Sequence, residues 1–134
     1  MPESSAIVPP CPARPLILLI EDDEWMRELL AEILDLEGFR TLGINSGDEV
    51  LTTPRETLME AACGLVDDSL SGNISGMQTV VILHLINPKI RVFPIPGRPL
   101  TECEKELIAQ HHQEILFKPF AIPEMLEAIK NATS

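Results

Sequence analysis

Tyrosine is absent from this chain, and its only other aromatic side chains are four phenylalanines and one tryptophan. That scarcity leaves little material for a base-stacking nucleic-acid platform. Positive charge is scarce too: ten lysines and arginines stand against 21 aspartates and glutamates, a formal net charge of −11 at pH 7. Such a surface repels phosphate backbones and anionic bilayers, so neither nucleic-acid binding nor membrane binding is expected. It does not oppose a cation or a basic protein partner. Cys11, Cys63 and Cys103 are odd in number, widely spaced and without a metal-ligand motif. They are expected to be reduced thiols, with Cys63 a small core residue. No apolar run approaches the ~20 residues needed to cross a bilayer. The start, Met1-Pro2-Glu3-Ser4, lacks the basic and apolar segments of a signal peptide. The expected location is the cytoplasm. A chain of 134 residues forms one domain around one core.

What the chain does have is a repeated junction. Leu16-Ile17-Leu18-Leu19-Ile20 runs directly into Glu21-Asp22-Asp23 and then into a helical pattern. A short run of Leu and Ile cut off by charge reads as a strand buried on both faces. Carboxylates at the carboxyl end of such a strand lie where open α/β sheets bind ligands. Adjacent acids repel unless water or a cation neutralises them, and a hard ion such as Mg²⁺ suits oxygen donors. The plainer reading is a strand-to-helix turn whose acids cap the helix and complement its dipole. Two further junctions favour a site. Gly64-Leu65-Val66 meets Asp67-Asp68, and Ile115-Leu116-Phe117 meets Lys118-Pro119. In a parallel sheet all carboxyl ends share one edge, so acids and a lysine from three strands converge there.

Residues 1–15 contain Pro2, Pro9, Pro10, Pro12 and Pro15 and show no periodicity, which predicts a flexible tail ahead of a domain over 16–134. Trp25, Leu29, Leu30, Ile33, Leu34 and Leu36 follow helical spacing up to Gly38. A strand is expected over Phe39–Ile44 and helix over most of Gly47–Ala62, with Pro54 kinking, breaking or restarting it. Ser69 to Gly76 is turn material. Met77–Ile86 is ambiguous: Val80-Val81-Ile82 favours strand locally, while the topology asks for a crossover helix, ended by Asn87-Pro88. Ile90–Ile95 reads as a strand partly demoted by Pro94. An amphipathic helix over Leu100–His112 opened by Thr101 and Glu104, a strand over Ile115–Phe117 and a helix over Ile122–Ala132 complete the pattern. Five strand–helix alternations predict an α/β fold with a doubly wound, five-stranded parallel sheet.

In order and spacing these segments resemble the response-regulator receiver domain of two-component signalling, over roughly residues 16–132. Leu18-Leu19-Ile20-Glu21-Asp22-Asp23-Glu24 with Met26-Arg27-Glu28-Leu29-Leu30 is similar to the family's first strand and helix. Gly38-Phe39-Arg40, Ser46-Gly47-Asp48-Glu49, Asn87-Pro88-Lys89-Ile90-Arg91-Val92 and Lys118-Pro119-Phe120 match later family segments. The resemblance implies a flavodoxin-like (βα)5 fold. It implies that Glu21 and Asp22 position Mg²⁺, that Asp23 is a neighbour and helix cap, and that Lys118 pairs with the phosphoacceptor. Leu65-Val66-Asp67 with Leu70, Ser71 and Gly72 makes Asp67 that acceptor and third metal ligand. Counting back from Gly76 with the commoner spacing gives Asp68 instead, and strand alternation lets only one of the two face the site.

The departures from the family concern its relay. Pro96 stands where the family has a Ser or Thr hydroxyl, and proline offers neither hydroxyl nor N–H. Ile115 occupies the aromatic switch position and has no polar tip. The leading expectation is a Mg²⁺-dependent receiver that accepts a phosphoryl group on Asp67 from a histidine kinase or phosphotransfer protein. No turnover of a separate substrate is expected. Such a chain is stand-alone or part of a larger protein, and its homodimerisation is left open. The alternative is a pseudo-receiver, an interaction module that does not use phosphate. A Mg²⁺-dependent phosphatase with an aspartate nucleophile fits poorly, because Asp68 is adjacent to Asp67 and no cap insertion exists.

Overall fold

The computed structural model describes residues 14–67, 72–95, 101–103, 105–106 and 122–133. Four strands, β1 (Leu16–Ile20), β2 (Arg40–Ile44), β3 (Cys63–Asp67) and β4 (Arg91–Ile95), form one parallel sheet in the order β2-β1-β3-β4. Helices α1 (Glu24–Leu36), α2 (Gly47–Val50), α3 (Arg55–Glu60), α4 (Gly76–Ile86) and α5 (Ile122–Thr133) accompany it. The α/β fold and the parallel sheet agree with expectation. The fifth expected strand, Ile115–Phe117, lies outside the described residues, as does most of the helix expected from Leu100.

The continuous apolar run of β1 is explained by its two-sided burial. Leu16, Leu18 and Ile20 join Val50, Leu58, Val80 and Leu83 in a core on one face of the sheet. Ile17 and Leu19 join Leu30, Leu34, Phe93, Met125 and Ile129 on the other. Alternation sends successive side chains to opposite faces, so a strand in the middle of two layers has no polar face to show. β4 behaves similarly, and Pro94 does not shorten it as its chemistry suggested. It removes one N–H donor, yet the register with β3 continues through Val66↔Pro94 to Asp67↔Ile95.

Helix α1 is capped at both ends by its own sequence. Asp23 Oδ1 accepts from Met26 N at 3.2 Å. At the far end Gly38 takes φ +93°, its N–H reaches Asp35 O, and Phe39 N reaches Leu34 O, both at 3.0 Å. This is the Schellman arrangement, which needs a residue tolerant of positive φ at that point. Arg14 completes the end by donating to Gly38 O at 3.0 Å and Phe39 O at 2.9 Å. The helical stripe counted from the sequence is narrower in fact: Leu30 and Leu34 are buried while Trp25 and Leu36 are exposed. At ~100° per residue, Trp25 lies ~140° around the helix from Leu30.

Of the outcomes open at Pro54 for the helical segment after Gly47, the structure shows a break: two helices stand there. Val50 ends the first, and Pro54 stands at the cap of the second, its carbonyl accepting from Thr57 and Leu58. Proline suits that position because the N–H it lacks would have no partner there. In α4 helix prevails over the local strand preference. Ser75 and Gln78 form a reciprocal capping box, and Met77, Thr79, Val80 and Leu83 turn to the core. Ser75-x-x-Gln78 has the residue types and spacing of that motif. Asn87 then ends α4, its Nδ2 reaching Leu58 O and Ala61 O at 3.0 Å each.

Candidate functional site

The carboxyl edge of the sheet is where the acids gather. Ile20 is the register partner of Val66. The residues that follow, Glu21 and Asp67, therefore emerge side by side from adjacent strands, with Asp22 one step further along the turn. One carboxylate oxygen from each of Glu21, Asp22 and Asp67 can be chosen so that all lie within 4.8 Å of one another. Glu21 and Asp67 are buried, at 7% and 2% exposure, and Asp22 faces solvent. Surface acids cluster often without consequence, but two buried carboxylates are a different matter. Two unit charges at that separation would repel by roughly 3 kcal/mol at an effective dielectric near 20, and a nearby positive charge relieves such repulsion.

The site is anchored through the main chain. Glu21 N donates to Ile44 O at 3.0 Å, and Glu21 Oε2 accepts from Asp23 N at 3.3 Å. Arg27 Nη1 donates to Glu21 O at 2.7 Å. Asp48 Oδ1 accepts from Ile74 N at 3.2 Å, tying the segment after Gly72 to α2. A Cβ on Gly47 would stand 2.4 Å from Thr79 Oγ1, so only glycine lets α2 approach α4 this closely. Arg27 and Asp48 lie in segments that match the family, but their residue types alone give them no role. Their contacts span elements distant in the chain, which periodicity does not encode.

All three oxygens of the cluster belong to carboxylates, with no thiol or imidazole among them, and this donor set fits Mg²⁺. That ion favours a few carboxylates and keeps several waters, for which the exposed Asp22 side leaves room. The expected metal ligands Glu21, Asp22 and Asp67 are thus brought together. Lys118, Asp68, Pro96 and Ile115 lie outside the described residues.

A family model, response regulator receiver domain, matches residues 17–130. The chain belongs to the response regulator receiver domain family. A cyclic di-GMP phosphodiesterase from Thermotoga maritima is 28% identical over 103 residues, 77% of this chain. The match spans only 27% of that larger protein's length. Among solved structures, a CheY-like response regulator receiver domain protein from Methanospirillum hungatei superposes with a TM-score of 0.76 at 19% identity, covering 88% of this chain and 92% of that one. A response regulator from Burkholderia pseudomallei, solved with a phosphorylated aspartic acid, a calcium ion and citrate, gives a TM-score of 0.70 at 23% identity, covering 89% of this chain and 69% of that one. At these identities the structural likeness shows the fold. No helix among the described residues is long and apolar enough to cross a membrane.

Proposed function

We propose that this receiver domain accepts a phosphoryl group on Asp67 from a phosphohistidine of a cytoplasmic kinase or phosphotransfer partner. The observation that carries the reading is the convergence of buried Glu21 and Asp67 with exposed Asp22 at one end of the sheet. Further support comes from the Burkholderia pseudomallei relative, which carries a phosphorylated aspartic acid and a calcium ion.

In this mechanism an Asp67 carboxylate oxygen attacks the phosphorus of the partner's phosphohistidine. An O–P bond forms, the P–N bond breaks, and its electron pair leaves with the imidazole nitrogen. Glu21, Asp22 and Asp67 would hold Mg²⁺, which supplies positive charge to the phosphoryl oxygens when bound. Lys118 is assigned the remaining countercharge. Burial of Asp67 limits water around the acyl phosphate. The product is the modified chain itself, so the domain is an acceptor and turns over no separate substrate.

Incubation with Mg²⁺ and acetyl phosphate, followed by intact mass and peptide mapping, tests this reading. The expected result is one added phosphoryl group on Asp67 that requires the metal. An unmodified chain under conditions that phosphorylate another receiver would overturn it.

A further inference from the structure

Arg27 brings a positive charge to the edge of the acid cluster, yet its hydrogen bond there, Nη1 to oxygen at 2.7 Å, goes to the main-chain carbonyl of Glu21. The position is costly on local grounds. Arg27 lies near the start of α1, where the helix dipole disfavours a cation. Its arm also requires a particular neighbour, since it crosses β2 at Gly43. A Cβ there would lie 2.9 Å from Arg27 Cδ and 3.2 Å from both Cγ and Nε. A helix residue, a bare strand position and a turn carbonyl are therefore fitted to one another.

The consequence falls on Glu21. Its N–H is held by Ile44 O, its carbonyl by Arg27, and its Oε2 by Asp23 N. The residue is fixed in front, behind and at its tip, which sets where its carboxylate stands relative to Asp67. Through this bond the guanidinium engages the Glu21 main chain rather than its carboxylate.

Resting on the receiver reading above, we propose that Arg27, seated over Gly43, is a positioning residue of the divalent-cation site. It fixes the Glu21 main chain so that the three carboxylates are arranged for the ion before the ion arrives. Groups behind metal ligands commonly change affinity by ~10–100-fold when removed.

The test is a titration of the full chain with Mg²⁺ alone, followed by the amide shift of Asp67 and by Trp25 fluorescence, with thermal melting recorded in parallel. Two variants separate position from charge. Arg27→Met removes the guanidinium, and Gly43→Ala keeps it while pushing the arm aside. The positioning role expects both to bind Mg²⁺ about tenfold more weakly than the parent while keeping a dispersed amide spectrum. Unchanged affinity in both variants, with melting temperature alone lowered, would make Arg27 a structural residue and overturn the proposal. Tighter binding in Arg27→Met with no change in Gly43→Ala would also overturn it, because Arg27 would then act only as a repelling charge. Absence of any saturable response in the parent protein would remove the cation site itself. Parent binding with unaltered variants removes only the role of Arg27.

Discussion

Glu21 and Asp67 leave adjacent parallel strands at the same level, each one residue beyond the register pair Ile20↔Val66. Their carboxylates meet because the sheet aligns two chain segments, and Asp67 is the more deeply buried of the two. Substituting Asp67→Asn is expected to abolish phosphoryl uptake, while Asp68→Asn leaves it in place. Mass spectrometry of each variant after treatment with a small phosphodonor checks this. Label retained in Asp67→Asn and lost in Asp68→Asn would reverse the assignment.

The cluster should also register in stability. An ion that binds only the folded chain adds RT ln(1 + [L]/Kd), about 1.4 kcal/mol at ten times Kd. Thermal melting should therefore rise with Mg²⁺ in the parent protein. The rise should vanish in Asp67→Asn, which removes a buried ligand charge, and shrink in Asp22→Asn. Equal Mg²⁺-dependent rises in all three proteins would place the ion elsewhere.

Asn87 is a structural counterpart, a buried amide that joins the end of α4 to the turn after α3. Its Nδ2 reaches Leu58 O and Ala61 O at 3.0 Å and Met59 O at 3.2 Å, and Oδ1 accepts from Lys89 N at 3.2 Å. Asn87→Ala leaves buried carbonyls without this donor, a loss of roughly 2 kcal/mol. The urea midpoint should fall with little change in slope.

Cys63 is buried in the sheet, and burial pushes its thiol from the ordinary 9.0 up to about 12 against a smaller opposing pull from Arg91. At pH 8 a thiol reagent should modify exposed Cys103 in the native protein and spare Cys63 until the chain unfolds. The unfolded chain releases this proton near 9.0, whereas the folded chain holds it to about 12. The unfolded state thus binds fewer protons across that interval, and the Cys63 contribution to stability falls as pH rises through it. A Cys63→Ala variant should lose less stability between those pH values than the parent, measured by urea unfolding.

A fifth expectation concerns Pro96 and Ile115. Without a hydroxyl at one and a polar tip at the other, the phosphoryl group lacks a hydrogen bond worth roughly 1.5–3 kcal/mol when charge-assisted. Beryllofluoride, a phosphoryl mimic, should shift amides near Glu21, Asp22 and Asp67 and disturb residues 100–112 and 115–132 only weakly. Large shifts across those two segments would reveal a switch that does not use these side chains.

The residues that build the framework carry their signals locally. The apolar run of β1 states that the strand is covered on both faces, and Asp23 and Gly38 mark where α1 begins and ends, because capping depends on neighbours within one turn. Pro54 marked a break in the same way. The acids at the ends of β1 and β3 were legible as a candidate site because parallel strands place their carboxyl ends on one edge. Other features waited for the tertiary structure. That Glu21, Asp22 and Asp67 offer oxygens within 4.8 Å depends on the register between β1 and β3. That Trp25 is exposed depends on which side of α1 meets the sheet, and that α4 is helical depends on the layer it crosses as much as on its own residues. The hold of Arg27 on Glu21 across Gly43 joins three elements at once. Sequence alone marked the ends of α1, the break at Pro54 and the two-sided burial of β1, since these signals arise between near neighbours. The folded sheet decided which of those groups stand within reach, since distances between strands are set by register and packing across the whole domain.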